Sequence, residues 1–207
     1  MNRRSDGGYF RLAATACSAV LLVTPAAAAK VIAPYRVALS VDWGAGAGSD
    51  AFRDDLRRSL AQNLATRCFA GVAIVGRDAA VEETELVFNV VLANVVDETR
   101  FDDSISGALQ PGEPAKELRR VTHFEVTVDA TLTTRASGAL LNRKHLVARA
   151  SRRPIYVGED PQATAHQDAQ DDIVKDLTRA LGCGGDKLAR QIRGALGDPT
   201  PAAPEAR

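Results

Sequence analysis

The stretch "VTHFEVTVDATLT" at 121–133 constrains the fold more than any other part of the chain. Phe124, Val126, Val128, Ala130 and Leu132 alternate with His123, Glu125, Thr127, Asp129 and Thr131. A period of two is that of a strand with one buried face. The residues that follow, "RASGA", turn the chain, and Gly138 suits the left-handed position of a three-residue hairpin loop. Pairing Arg135 with Ala139 then sets the register. Val128 faces Leu146, Val126 faces Ala148 and Phe124 faces Ala150. On the other face Glu125 meets Arg149 and Asp129 meets His145. Apolar and charged rows agree, as a correct register requires. The fit is poorer near the turn, where Ala130 meets Lys144.

Other segments read around this hairpin. Residues 35–41 alternate and are β-branched, which predicts a strand. Ser49 caps a helix whose Phe52, Leu56, Leu60, Leu64 and Cys68 recur every fourth residue. Residues 71–75 form a short strand. "ELVFNVVLANVV" at 85–96 is apolar on both faces, which predicts an interior strand covered on both sides. Residues 102–117 carry Gly and Pro breakers and read as a mobile or binding loop. Asp160-Pro161 starts a long helix with Ala165, Ala169, Ile173, Leu177 and Leu181 along one stripe, and Gly182 stops it. A shorter helix follows from Asp186. The expected class is α+β, a mainly antiparallel sheet with two main helices on one face, in the order strand-helix-strand-strand-strand-strand-helix. One domain is expected over 30–196, and a disordered Pro/Ala-rich tail over 197–207.

The N-terminus carries Arg3, Arg4 and Arg11, an apolar stretch at 12–23, and small residues before Lys30. This is the pattern of a secretory signal peptide over 1–29, cleaved between Ala29 and Lys30. The apolar stretch is shorter than the roughly 20 residues that span a bilayer. Ser5-Asp6-Gly7 after the arginine pair disfavours twin-arginine export. Cys17 follows Ala14-Thr15-Ala16, a partial lipidation pattern, but apolar residues continue past it. The expectation is a soluble periplasmic or secreted protein, with an outer-membrane lipoprotein as the alternative.

The full chain has 26 basic and 26 acidic side chains. Removing residues 1–29, with three Arg and one Asp, leaves a formal charge of −2. No basic excess is present to hold nucleic acid. Cys68 and Cys183 remain, and two cysteines in an oxidising compartment predict one disulfide. Neither has a further Cys or His at zinc-ligand spacing.

"VDWGAGAGSD" at 41–50 sits between a strand and a helix, the context of a dinucleotide-binding loop. Its third glycine comes two residues after the second instead of three, and the later chain does not alternate strands and helices. No Gly-Lys-Ser/Thr follows it. The loop therefore reads as a connection, and neither nucleotide nor cofactor is expected. His123, Glu125, Asp129 and His145 share one face of the hairpin, but only one close His-carboxylate pair results, short of a metal site. There is no Gly-x-Ser-x-Gly elbow, and the acidic pairs Glu82-Glu83 and Asp102-Asp103 fall in or near loops. No catalytic, cofactor or metal residue is assigned, and no enzymatic activity is expected.

"FRDDLRRSLAQNL" before "GVAIV", the hairpin "FEVTVDATLTTRASGALL" and the closing "DIVKDLTRAL" together resemble small envelope accessory proteins. The similar families are the LPS-assembly lipoproteins and the auxiliary lipoproteins of ABC-type lipid transporters. The resemblance is one of architecture spread over 36–181, and it carries no functional residue across. It implies a non-catalytic role, binding an envelope protein partner or an amphiphile during envelope assembly or transport. A periplasmic small-ligand-binding or sensor module is the alternative. The first predicts docking through an exposed strand edge or the 102–117 loop. The second predicts an apolar pocket between helix and sheet.

Overall fold

The structure is a computed structural model, and it describes residues 33–44, 48–101, 119–156 and 158–197. The signal segment, the 102–117 loop and the tail from residue 198 lie outside the described residues. Five strands form one mixed sheet: β1 (Ala33–Trp43), β2 (Phe69–Ile74), β3 (Leu86–Phe101), β4 (Arg120–Thr134) and β5 (Leu140–Arg152), in the order β2-β1-β3-β4-β5. Among the described residues three helices accompany it: α1 (Asp50–Arg67), α2 (Pro161–Leu181) and α3 (Asp186–Leu196). A 3-10 turn at Ala79–Glu83 leads into β3. The class is α+β. β3, β4 and β5 are antiparallel and make the longer ladders, while β1 lies parallel to both β2 and β3.

Each helix forms for a local reason and is held by burial. Ser49 Oγ accepts from Phe52 N at 3.4 Å and opens α1, which buries Phe52, Leu56, Leu60 and Leu64. Asp160 accepts from Gln162 N at 3.0 Å and Ala163 N at 3.3 Å, with Pro161 pre-set for the first turn. Gly182, at φ 69°, ends α2 in the left-handed conformation. Each fully buried Leu or Ile contributes roughly 1.5–3 kcal/mol. Gln170 is also buried, and its Nε2 donates to Phe52 O at 3.1 Å, tying α2 to the first turn of α1. α3 buries Leu188, Ala189 and Ile192.

The hairpin register is the expected one from Thr122↔Arg152 to Leu132↔Asn142. It then slips by one residue, to Thr133↔Leu140. Leu141 is the extra residue of a bulge, and the loop is Arg135-Ala136-Ser137-Gly138 instead of three residues. Thr134 explains the choice. Its main chain exchanges bonds with Gly138 and Ala139, and its Oγ1 accepts from Ala139 N at 3.0 Å. Gly138 does take the left-handed conformation, at φ 66°.

β3 departs from expectation twice. It runs five residues past Val96, to Phe101. Its other face, with Val87 and Val91, is half-buried, and among the described residues no helix covers it. A bulge interrupts β3 between Ala93 and Val96, where Asn94 takes φ 50°. Asn tolerates this conformation better than most residues.

Candidate functional site

Two places were open to chemistry in the sequence, and the structure resolves both and adds a third. The first is the glycine loop after β1. Gly48 lies against the Trp43 indole, so close that a Cβ on Gly48 would sit 2.2 Å from the ring. The glycine makes room for tryptophan. The indole takes the space beside Gly48, and Ser49 already occupies one of the first N–H groups of α1. Asp78 accepts from Ile74 N at 2.6 Å and closes the turn after β2.

The second is the outer face of the hairpin. Asp129 and His145 are 3.0 Å apart, and Arg149 Nε donates to Glu125 at 2.7 Å. That hydrogen bond holds the Glu125 carboxyl below its usual pKa and raises Arg149. His123 faces Glu98 across β3 and does not join them. Among the described residues no group of three metal-ligating side chains forms. Glu83 pairs with Arg36 at 2.6 Å and Glu82 with Arg135 at 2.9 Å, so the acidic pair at 82–83 anchors the 3-10 turn.

The third place was missed in the sequence, where His166 reads as a surface residue. Its side chain is only 19% exposed and its Nε2 lies 2.8 Å from Asp97 Oδ2, an oxygen that also accepts from Gln162 Nε2 at 2.9 Å. The imidazole packs edge-on against Phe124 at 4.4 Å and Phe52 at 5.5 Å, and Trp43 extends the cluster. Asp97 lies beyond the expected end of β3, so its meeting with His166 could not be read from spacing. A His-carboxylate pair is two parts of a hydrolytic triad. Among the described residues no hydroxyl or thiol bonds the imidazole, which instead locks the start of α2 to the extension of β3.

That extension builds one pole of the molecule. β3 ends at Phe101, β4 starts at Arg120 and β5 gives way to the connection into α2. Phe101 is 59% exposed, Ile155 86% and Tyr156 64%. The Arg120 guanidinium lies over the Phe101 ring at 5.8 Å. An open cleft of about 270 Å³ runs between Thr99, Thr122, Tyr156 and Gln162. Arg152 and Asp168 fasten β5 to α2 beside it, an ion pair that lowers the Asp168 pKa and raises that of Arg152. At the opposite pole Cys68 and Cys183 are bonded, with Cα atoms 4.6 Å apart, joining the end of α1 to the end of α2.

No family model matches this chain, and no curated protein matches it in sequence. Solved structures do resemble it in fold. One is a Xanthomonas campestris protein of the DUF330 family: 12% identity, TM-score 0.46, covering 84% of this chain and 93% of that one. Another is lipoprotein B from Nitrosomonas europaea: 18% identity, TM-score 0.41, covering 73% and 85%. A third is a minor lipoprotein from Acinetobacter baumannii: 16% identity, TM-score 0.37, covering 70% and 90%. Two of the three are lipoproteins by name. At such identities and scores the function has to be argued from this chain's own residues. No helix among the described residues is long and apolar enough to cross a membrane.

Proposed function

We propose that this chain is a non-catalytic, exported accessory protein of the cell envelope, which binds a partner protein or an amphiphile during envelope assembly or transport. The observation that carries this reading is the pole bearing Phe101, Ile155 and Tyr156. Three large apolar side chains stand exposed at this one end of the sheet, where a partner can cover them. The leader-type N-terminus supports export, cleaved before Lys30 or lipidated at Cys17. The bonded pair Cys68–Cys183 fits an oxidising compartment. The alternative, a small-ligand or sensor module, calls for an apolar pocket between helices and sheet. Phe52, Leu56, Leu60, Ile173 and Leu177 fill that layer at 2% exposure or less, which favours docking at the surface.

The test is a photo-crosslinking residue at Tyr156 in intact cells, with Gln191 on α3 as the control position. A discrete envelope-protein or lipid adduct at Tyr156 alone is the expected result. Equal labelling at both positions would overturn the reading. The intact mass of the same protein distinguishes a chain starting at Lys30 from one carrying diacylglycerol on Cys17.

A further inference from the structure

Beyond partner binding, the free edge of β3 points to self-association. β1 accompanies β3 only as far as Trp43↔Leu92, where Gly44 N donates to Leu92 O at 2.7 Å. The β3–β4 ladder continues to Phe101↔Arg120. Over residues 97–101 β3 therefore has β4 on one side, and among the described residues nothing hydrogen-bonds its other side. The backbone N–H and C=O groups of such an edge are a template for another strand.

We propose that this edge pairs antiparallel with the same edge of a second copy of the chain, about a two-fold axis through Thr99. The charges select that occupant and that register. A two-fold axis normal to the sheet keeps each residue on its own face, so only registers that centre on one residue are allowed. Centred on Glu98, the pairing sets Glu98 against Glu98. Centred on Arg100, it sets Arg100 against Arg100. Centred on Thr99, it sets Glu98 of each copy against Arg100 of the other, twice. Both side chains stand on the outer face, 45% and 70% exposed, and Arg100 Nε already donates to Glu98 at 2.7 Å within the strand. Pairing merges two such couples into an alternating array of four charges. The opposite face places Phe101 against Asp97 of the other copy and covers an exposed ring. Ile155 and Tyr156 lie outside the paired segment, on the connection from β5 to α2.

The paired segment is short, so a concentration-dependent dimer is expected. Sedimentation velocity of the leaderless protein over about 5–500 µM should show it. E98R sets four arginines together and R100E sets four glutamates together, and each should weaken association at least tenfold at unchanged thermal stability. An equimolar mixture of E98R and R100E restores every opposite-charge contact and should dimerise like the unsubstituted chain. Thr99 lies on the axis, so T99C should oxidise to a covalent dimer while Q191C does not. A protein monomeric throughout that range overturns the proposal. So does a dimer insensitive to both single substitutions, or a mixture no more associated than its components.

Discussion

Replacing both Cys68 and Cys183 with alanine tests what the disulfide does. The two residues lie 115 apart in sequence, and cross-linking a loop of that length restricts the unfolded chain by about 5 kcal/mol in the chain-entropy model. Domains of this size are stable by about 5–15 kcal/mol, so the unlinked chain should stand near the limit of folding. Alanine is the right replacement because Cys68 is 1% exposed and a serine would bury a hydroxyl. Urea unfolding followed by Trp43, the chain's one tryptophan, reads the effect. The midpoint should fall, and the dependence on urea should steepen, because an unlinked chain exposes more surface when it unfolds. A lower midpoint with an unchanged slope would mean that lost packing at the helix ends is responsible. That would refute the account based on the unfolded state. An unchanged midpoint would refute any stabilising role.

Three further outcomes follow from local geometry. G48A forces a methyl group against the Trp43 indole and should cost about 1–3 kcal/mol, with a shift in tryptophan emission; unchanged emission and stability would show the ring free to move. D160A removes the acceptor for two N–H groups at the start of α2 and should cost about 1 kcal/mol by chemical denaturation. R152A should lower stability only slightly at neutral pH, since the pair is substantially exposed. Asp168 has a lowered pKa in the fold, so its contribution is complete above the ordinary aspartate range near pH ~4 and is lost as pH falls through the lowered native value. The difference between R152A and the parent should therefore vanish on acidification, and a difference that grows in acid would contradict the assignment.

The hairpin was legible because both of its faces carry information. Apolar pairs and the couples Glu125–Arg149 and Asp129–His145 all demand one register, and the sheet adopts it. The slip near the turn was hidden because Lys144 and Asn142 leave the β5 side of that face polar, so packing did not penalise a bulge at Leu141. Helix starts were legible through Ser49 and Asp160, whose side chains bond backbone next to them in sequence. The length of β3 was not. Beyond Val96 the strand is charged, and what holds it is the ladder to β4 together with the grip of His166 and Gln162 on Asp97, both distant in sequence. Trp43 and Gly48 were hidden likewise, since a run of glycines looks the same whether it cradles a ligand or makes way for a ring.

The bond between the two cysteines also has a schedule. A ribosome adds about 5–20 residues each second, so Cys68 exists for roughly 6–23 s before Cys183 is made. During that interval β1, α1 and β2 can gather, but β3, the other neighbour of β1, comes later in the chain. Cys17 is the chain's one other cysteine, so a wrong bridge within the chain can form only through Cys17. Errors can also arise between molecules, from thiols left waiting on neighbouring nascent chains. Yield of the native protein should therefore fall with crowding at the site of synthesis or export, more steeply than it falls with any shortage of an isomerase.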